Sequence, residues 1–112
     1  YPKTLARYAE IGRSVGLTGK NDAEVFEKLL AKLDELMRTI EILPTIRDYG
    51  VDEKHFLETL DEMSEQAFND QCTGANPRYP LMSELKEIYL KAYYGEGNIP
   101  ESGKAKEKKE EK

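Results

Sequence analysis

The segment DQCTGANPRYP, residues 70–80, decides the fold because it interrupts two stretches that have helical periodicity. Gly74 permits a positive φ, while Pro77 and Pro80 fix their own φ and bias the residue before each toward an extended conformation. A helix cannot continue through such a segment. The sequence therefore predicts a loop here, with one helix ending before it and another beginning after it.

The helices on either side of this loop are predicted from their apolar residues. Asp52 is a good N-cap for the first, which runs to about Gln71. Its apolar positions are Phe56, Leu57, Leu60, Met63, Ala67 and Phe68. The second runs from about Met82 to Gly95, and its apolar stripe consists of Leu85, Ile88, Tyr89, Ala92 and Tyr93.

Two more helices are predicted nearer the amino terminus. The first covers residues 3–15 and ends at Gly16, a plausible left-handed cap. The second begins at Asn21 or Asp22, either of which can accept orphan amide hydrogens. Its apolar stripe is Phe26, Leu29, Leu30, Leu33, Met37 and Ile40, widened by Val25 and Leu36.

Proline and glycine divide this second helix from the remainder of the chain. Pro44 is predicted to stop the helix because it lacks an amide hydrogen and clashes with the preceding turn. Residues 45–49 then have room for one short turn before Gly50. No segment alternates with the period of a strand, so the predicted fold class is all-α, a helical bundle.

The predicted organisation is a helical segment over residues 1–95 followed by a tail over residues 96–112. The tail is rich in Lys and Glu, with Ile99 as its large apolar residue, and we expect it to be disordered because it cannot bury enough surface to offset the entropy of ordering. Because the chain starts with Tyr1, without an initiator methionine or a signal peptide, we expect the natural amino terminus to lie upstream.

Composition narrows the classes of function. The 112 residues are 38% hydrophobic and 35% charged, with a formal net charge of -5. The tail contains equal numbers of Lys and Glu, so the net negative charge belongs to residues 1–95. Binding of nucleic acid relies on a basic patch, so this class is disfavoured.

No stretch has the roughly 20 apolar residues of a membrane span. A single cysteine excludes an internal disulfide, and a cytoplasmic setting fits best.

Candidate metal and acid–base groups receive a structural interpretation. His55, the one histidine, falls in the first turn of a predicted helix and is expected to be exposed rather than a metal ligand. Glu58, Asp61, Glu62 and Glu65 lie at helical spacing away from the apolar stripe, as on a solvated helix face. The sequence shows nothing that would push the pKa values of two carboxyls apart, as acid–base catalysis requires.

Within the loop, Cys72 follows the negative end of a helix dipole, which does not favour a thiolate, and it is expected to be a packed or partly buried structural cysteine. Arg78, held between two prolines, has two possible roles: contact with an anion or cofactor, or attachment of the loop to a helix end, for example to Asp70. The second role is favoured. Asn76 is expected to organise the turn through its side-chain amide.

The chain contains seven tyrosines, of which Tyr89, Tyr93 and Tyr94 lie in the last predicted helix. A surface for stacking bases would also need a basic groove, and the sequence provides none. Tyr89 and Tyr93 are four residues apart, so we expect their rings to face a neighbouring helix with their hydroxyls at its rim.

The loop and its flanks closely resemble the carboxy-terminal end of the bifunctional aldehyde-alcohol dehydrogenases. The resemblance rests on FNDQCTGANPRYP at residues 68–80, on SELK at residues 83–86 and on AYYG at residues 92–95. It continues upstream through RYAEI, EKLL, IRD and GV, and so covers roughly residues 6–95. Monofunctional relatives share mainly an Asn-Pro-Arg followed by a helix.

The resemblance implies an iron-dependent alcohol dehydrogenase in which a nucleotide-binding α/β domain precedes an all-helical domain, whose Asp and three His hold the metal. These ligands and the glycine motif for the nicotinamide cofactor would lie upstream of Tyr1. No catalytic, cofactor-binding or metal-binding residue is therefore expected in this chain, which would be an inactive scaffold. NAD and Fe²⁺ would serve the parent enzyme, which would convert acetyl-CoA to acetaldehyde and then to ethanol.

The implied partners are the remainder of the dehydrogenase chain and, in the parent enzyme, further copies in a homo-oligomer or helical filament. The alternative interpretation is an autonomous helical module that docks on another protein through its amphipathic helices. The scaffold interpretation differs from it by predicting that one or more apolar faces lack partners in the isolated chain. Neither interpretation includes a nucleic acid or a membrane as partner.

Overall fold

The computed structural model describes residues 2–100 and confirms the all-α fold class. Four α-helices, α1 to α4, and two short 3₁₀ turns follow one another in this part of the chain. The helices are α1 (Pro2–Ser14), α2 (Asp22–Thr39), α3 (Glu53–Asn69) and α4 (Met82–Tyr94), and the turns are Arg47–Tyr49 and Thr73–Ala75. The chain divides into two compact units between Ile42 and Leu43.

The first unit is a hairpin of α1 and α2. Gly12 is buried in α1 at the point where a Cβ atom would lie 2.8 Å from Cγ1 of Val25, so the missing side chain lets the helices approach closely. The rings of Tyr8 and Phe26 meet with centroids 5.5 Å apart. Ala9 and Val25 are completely buried, and their burial holds the two helices together.

The predicted ends of the first two helices are largely confirmed. Gly16 has a φ of 90°, the left-handed conformation expected where α1 stops. Oδ1 of Asn21 accepts a hydrogen bond of 2.9 Å from the amide of Glu24, so the first of the two candidate N-caps is the one used. Arg13, near the end of α1, lies 2.7 Å from Asp22 across the connection.

The predicted stop of α2 at Pro44 is wrong because the helix ends earlier, at Thr39. Glu41 takes a left-handed φ of 62°, and the amide of Ile42 then donates to the carbonyl of Met37 at 2.9 Å. This is the pattern of a Schellman cap, which satisfies the last carbonyls of the helix. The helix has therefore ended before the chain reaches Pro44.

The second unit packs α3 against α4. Its core consists of Phe56, Leu60, Leu90, Tyr93 and Tyr94. The amide of Ile46 donates to the carbonyl of Ala92 at 2.9 Å, which fastens the start of this unit to its last helix. The Tyr93 hydroxyl donates to the carbonyl of Val51 at 2.8 Å, so the segment before α3 is attached there as well.

Helix α3 begins as predicted and ends slightly early. Oδ2 of Asp52 accepts from the amide of His55 at 3.0 Å, which confirms the N-cap. Gly50 has a φ of 87° and closes the predicted short turn before it. The helix ends at Asn69 instead of near Gln71, because Asp70 is in an extended conformation.

The buried face of α4 differs from the predicted stripe. The structure buries Lys86, Leu90, Tyr93 and Tyr94, whereas Ile88 is 59% exposed and Ala92 is exposed. The buried face is therefore rotated from the predicted one and includes Lys86, whose charge is paired with Asp61. A sequence pattern built on apolar residues does not include such a lysine.

Residues 96–100 follow α4, and Ile99 packs against the core of the second unit. The remainder of the predicted tail, residues 101–112, lies outside the described residues.

Candidate functional site

The loop between α3 and α4 is built by local hydrogen bonds. Oδ1 of Asp70 accepts from the amide of Cys72 at 2.7 Å, which turns the chain directly after α3. The hydroxyl of Thr73 donates back to the carbonyl of Ala67, one of the carbonyls that the end of α3 leaves free. The side-chain amide of Asn76 donates to the carbonyl of Arg78, so Asn76 organises the turn as predicted.

Arg78 fastens this loop to a helix end, but not to the one suggested from the sequence. Its guanidinium donates to Oε1 of Glu84 in the first turn of α4. Oε2 of the same Glu84 accepts from the amide of Leu81 at 2.8 Å. The suggested partner Asp70 is wrong: its carboxylate accepts from the amide of Cys72 in the turn after α3, and Arg78 pairs with Glu84 instead. Glu84 thus caps α4 and holds the loop at the same time.

A shallow depression lies beside this ion pair, lined among others by Pro80, Glu87 and Lys91. Its charges are matched: Arg78 pairs with Glu84, and Nζ of Lys91 lies 3.3 Å from Glu87. Paired surface charges leave little excess field for an anion to bind. The loop therefore has the geometry of a structural connection.

The burial predicted for Cys72 is wrong, since the residue is exposed. The physical reason is the early end of α3 at Asn69, which places Cys72 in a surface turn away from the apolar face of that helix. The turn runs from Asp70 into the 3₁₀ segment Thr73–Ala75.

His55 and the acidic residues of α3 lie where the sequence predicted. His55 is exposed in the first turn of α3, and Glu58, Glu62 and Glu65 are exposed farther along it. Asp61 is also largely exposed, but it pairs with Lys86 of α4. Within residues 2–100, no group of three or more His, Cys, Asp or Glu side chains converges to hold a metal ion.

The tyrosines of α4 form the centre of the second unit. The ring of Tyr93 stacks on that of Phe56 with centroids 4.3 Å apart, and the ring of Tyr94 meets Tyr93 edge-on at 4.8 Å. Burial, followed by the negative charge of Glu53, raises the pKa of Tyr93 above its usual value of 10.0. The guanidinium of Arg47 lies 5.6 Å from the Tyr94 ring centroid.

The first unit presents an apolar surface of a different kind. Four residues of α2, here called the α2 stripe, are all at least 41% exposed. They are Leu30, Leu33, Met37 and Ile40. Their spacing of three or four residues places them along one side of the helix. The stripe is therefore a candidate for contact with another polypeptide.

Comparison with known proteins defines the class. The chain belongs to the Fe-containing alcohol dehydrogenase family, because the family's C-terminal model matches residues 1–93. It is 50% identical, over 97% of its length, to the bifunctional aldehyde-alcohol dehydrogenase AdhE of Escherichia coli K12, and this match spans 12% of that protein.

Two further relatives are named for different activities. An aldehyde-alcohol dehydrogenase of Clostridium acetobutylicum is 46% identical over 83% of this chain and is covered over 11% of its own length. An NADPH-dependent butanol dehydrogenase of Clostridium saccharobutylicum is 37% identical over 82% of this chain and is covered over 24%. The chain thus spans a small part of the curated relatives it matches. None of the helices within residues 2–100 is long and apolar enough to cross a membrane.

Proposed function

We propose that this chain is the carboxy-terminal scaffold of an iron- and NAD-dependent alcohol dehydrogenase within a bifunctional, cytoplasmic aldehyde-alcohol dehydrogenase. The observation that carries the proposal is the 50% identity to the C-terminal part of the Escherichia coli enzyme over 97% of this chain. Two of the aldehyde-alcohol dehydrogenases, at 50% and 46%, are more similar to this chain than the butanol dehydrogenase at 37%, whereas others, at 35–37%, are about equally similar. The intact protein would reduce acetyl-CoA to acetaldehyde and acetaldehyde to ethanol.

The iron and the nicotinamide cofactor would be held by other parts of the intact protein. In the intact protein, Fe²⁺ would supply Lewis-acid chemistry for the carbonyl, and NADH would be the hydride donor. The described residues do not fit the metal: His55 is isolated on the surface, and its helix presents solvated carboxylates. The contribution of this chain to the chemistry is therefore placement of the elements that bind these groups.

Placement requires rigid elements, because catalytic constellations tolerate displacements of only about 0.5 Å. The second unit has this rigidity: α3 and α4 share stacked aromatic rings, and the buried Lys86 bonds Asp61 across the two helices. The loop between them is fixed at both ends, by Asp70 after α3 and by Glu84 at the start of α4. A neighbouring helix that packs against this unit would meet a surface with little freedom to move.

The test is an assay of the intact gene product beside the 112-residue chain. We expect the intact protein to oxidise NADH with acetaldehyde when it is loaded with Fe²⁺, and to oxidise NADH with acetyl-CoA. We expect no turnover by the 112-residue chain under the same conditions. Because one relative uses NADPH, each assay is repeated with NADPH. Turnover by the 112-residue chain would contradict the scaffold role, and an intact protein active with neither acetaldehyde nor acetyl-CoA would contradict the proposed function.

A second candidate, an autonomous helical interaction module, is favoured by one observation. The unit that starts at Leu43 has its own core and closes on itself through the bond between Ile46 and Ala92. Such a module would act without the remainder of a dehydrogenase. The two candidates are separated by the gene product itself: a short product without a nucleotide-binding domain would support the module.

We also propose that the intact enzyme forms a homo-oligomer or a helical filament, as the resemblance to the bifunctional family implies. Light scattering and electron microscopy of the intact protein test this assembly. A protein that remains monomeric at high concentration would contradict it.

A further inference from the structure

We draw no further inference here: the strongest candidate, the surface patch of exposed apolar side chains where the loop enters α4 (Tyr79, Leu81 and Met82), carries none because nothing in the structure shows what covers it.

Discussion

The ammonium group of Lys86 in α4 lies 2.7 Å from Oδ1 of Asp61 in α3, although the lysine is 9% exposed. The two partners are unequal, because the Asp61 side chain is 73% exposed while that of Lys86 is 11% exposed. The lysine carries most of the desolvation cost, and the aspartate remains in contact with water. The pair fixes the position of one helix relative to the other within the second unit.

Removal of the exposed Asp61 side chain is therefore expected to lower the free energy of unfolding more than replacement of the buried Lys86. Asp61→Ala leaves a buried ammonium without its partner and should destabilise the chain by about 1 kcal/mol. This value is lower than for a fully buried ion pair, because water screens the exposed aspartate. Lys86→Met keeps the packing and removes the charge, so its effect should be smaller or even stabilising. Urea unfolding measures both. The control is Lys54→Met, in an ion pair that is exposed on both sides.

Gly12→Ala is expected to destabilise the hairpin of α1 and α2, although alanine is the better helix former by about 1 kcal/mol. The added Cβ atom would lie 2.8 Å from Cγ1 of Val25, a stiff β-branched side chain that is completely buried. We expect a net loss of about 1–3 kcal/mol. If this contact is irrelevant, the destabilisation of the double variant Gly12→Ala/Val25→Ala should equal the sum of the two single destabilisations. We expect it to be smaller than that sum.

Glu41→Gly should stabilise α2. Glu41 occupies the left-handed position of the cap at φ 62°, where an L-residue other than glycine costs about 1–2 kcal/mol. Glycine is the residue that this position favours. The expected gain of about 1 kcal/mol is measured by thermal unfolding followed by circular dichroism. Glu41→Ala keeps a Cβ atom and should bring no such gain, so equal stabilities of the two variants would refute the explanation.

Glu84→Ala is expected to be more harmful than Arg78→Ala. The glutamate accepts from the backbone amide of Leu81 and from Arg78, whereas loss of the arginine removes one half-exposed ion pair. The cap is worth about 1 kcal/mol, and the ion pair less. Glu84→Gln keeps an acceptor for the amide and should fall between the two. Chemical denaturation of all three variants gives the order.

Stability should fall at alkaline pH because of Tyr93. Its folded-state pKa is raised, mainly by burial, so the folded chain keeps the phenolic proton while the unfolded chain loses it near pH 10.0. The stabilisation that Tyr93 contributes is complete below about pH 10 and is lost as the pH rises toward the folded-state pKa. Tyr93→Phe should flatten this decline, whereas the exposed Tyr79→Phe should not. Urea midpoints at about pH 8 and about pH 11 test the difference.

Local signals explain how much of this fold the sequence predicts. The N-caps at Asn21 and Asp52, and the loop at residues 70–80, depend on residues within a few positions of each other, and all three are found. The end of α2 was mispredicted because a left-handed Glu41 is unusual, whereas proline is the visible stop signal. Conformational propensities do not predict a backbone conformation that is unfavourable for the residue that adopts it.

Long-range contacts limit what the sequence predicts of the candidate site. The buried face of α4 depends on Lys86 finding Asp61 across 25 positions, and no periodicity of apolar residues includes that pair. Arg78 is followed and preceded in the sequence by several acidic residues, and its pairing with Glu84 depends on a loop path that Asn76 and Asp70 set together. Where one residue has several equivalent possible partners, the sequence alone does not predict which of them it contacts.

The hydrogen bond from the amide of Ile46 to the carbonyl of Ala92, at 2.9 Å, has a consequence for engineering. It places the chain before α3 next to the last turn of α4, so a short glycine linker can join a chain that is ended after α4 to that point. New ends could then be opened at the surface loop around Gly74. This part of the chain is thus suited to circular permutation, and to being grafted as a cassette into a host protein.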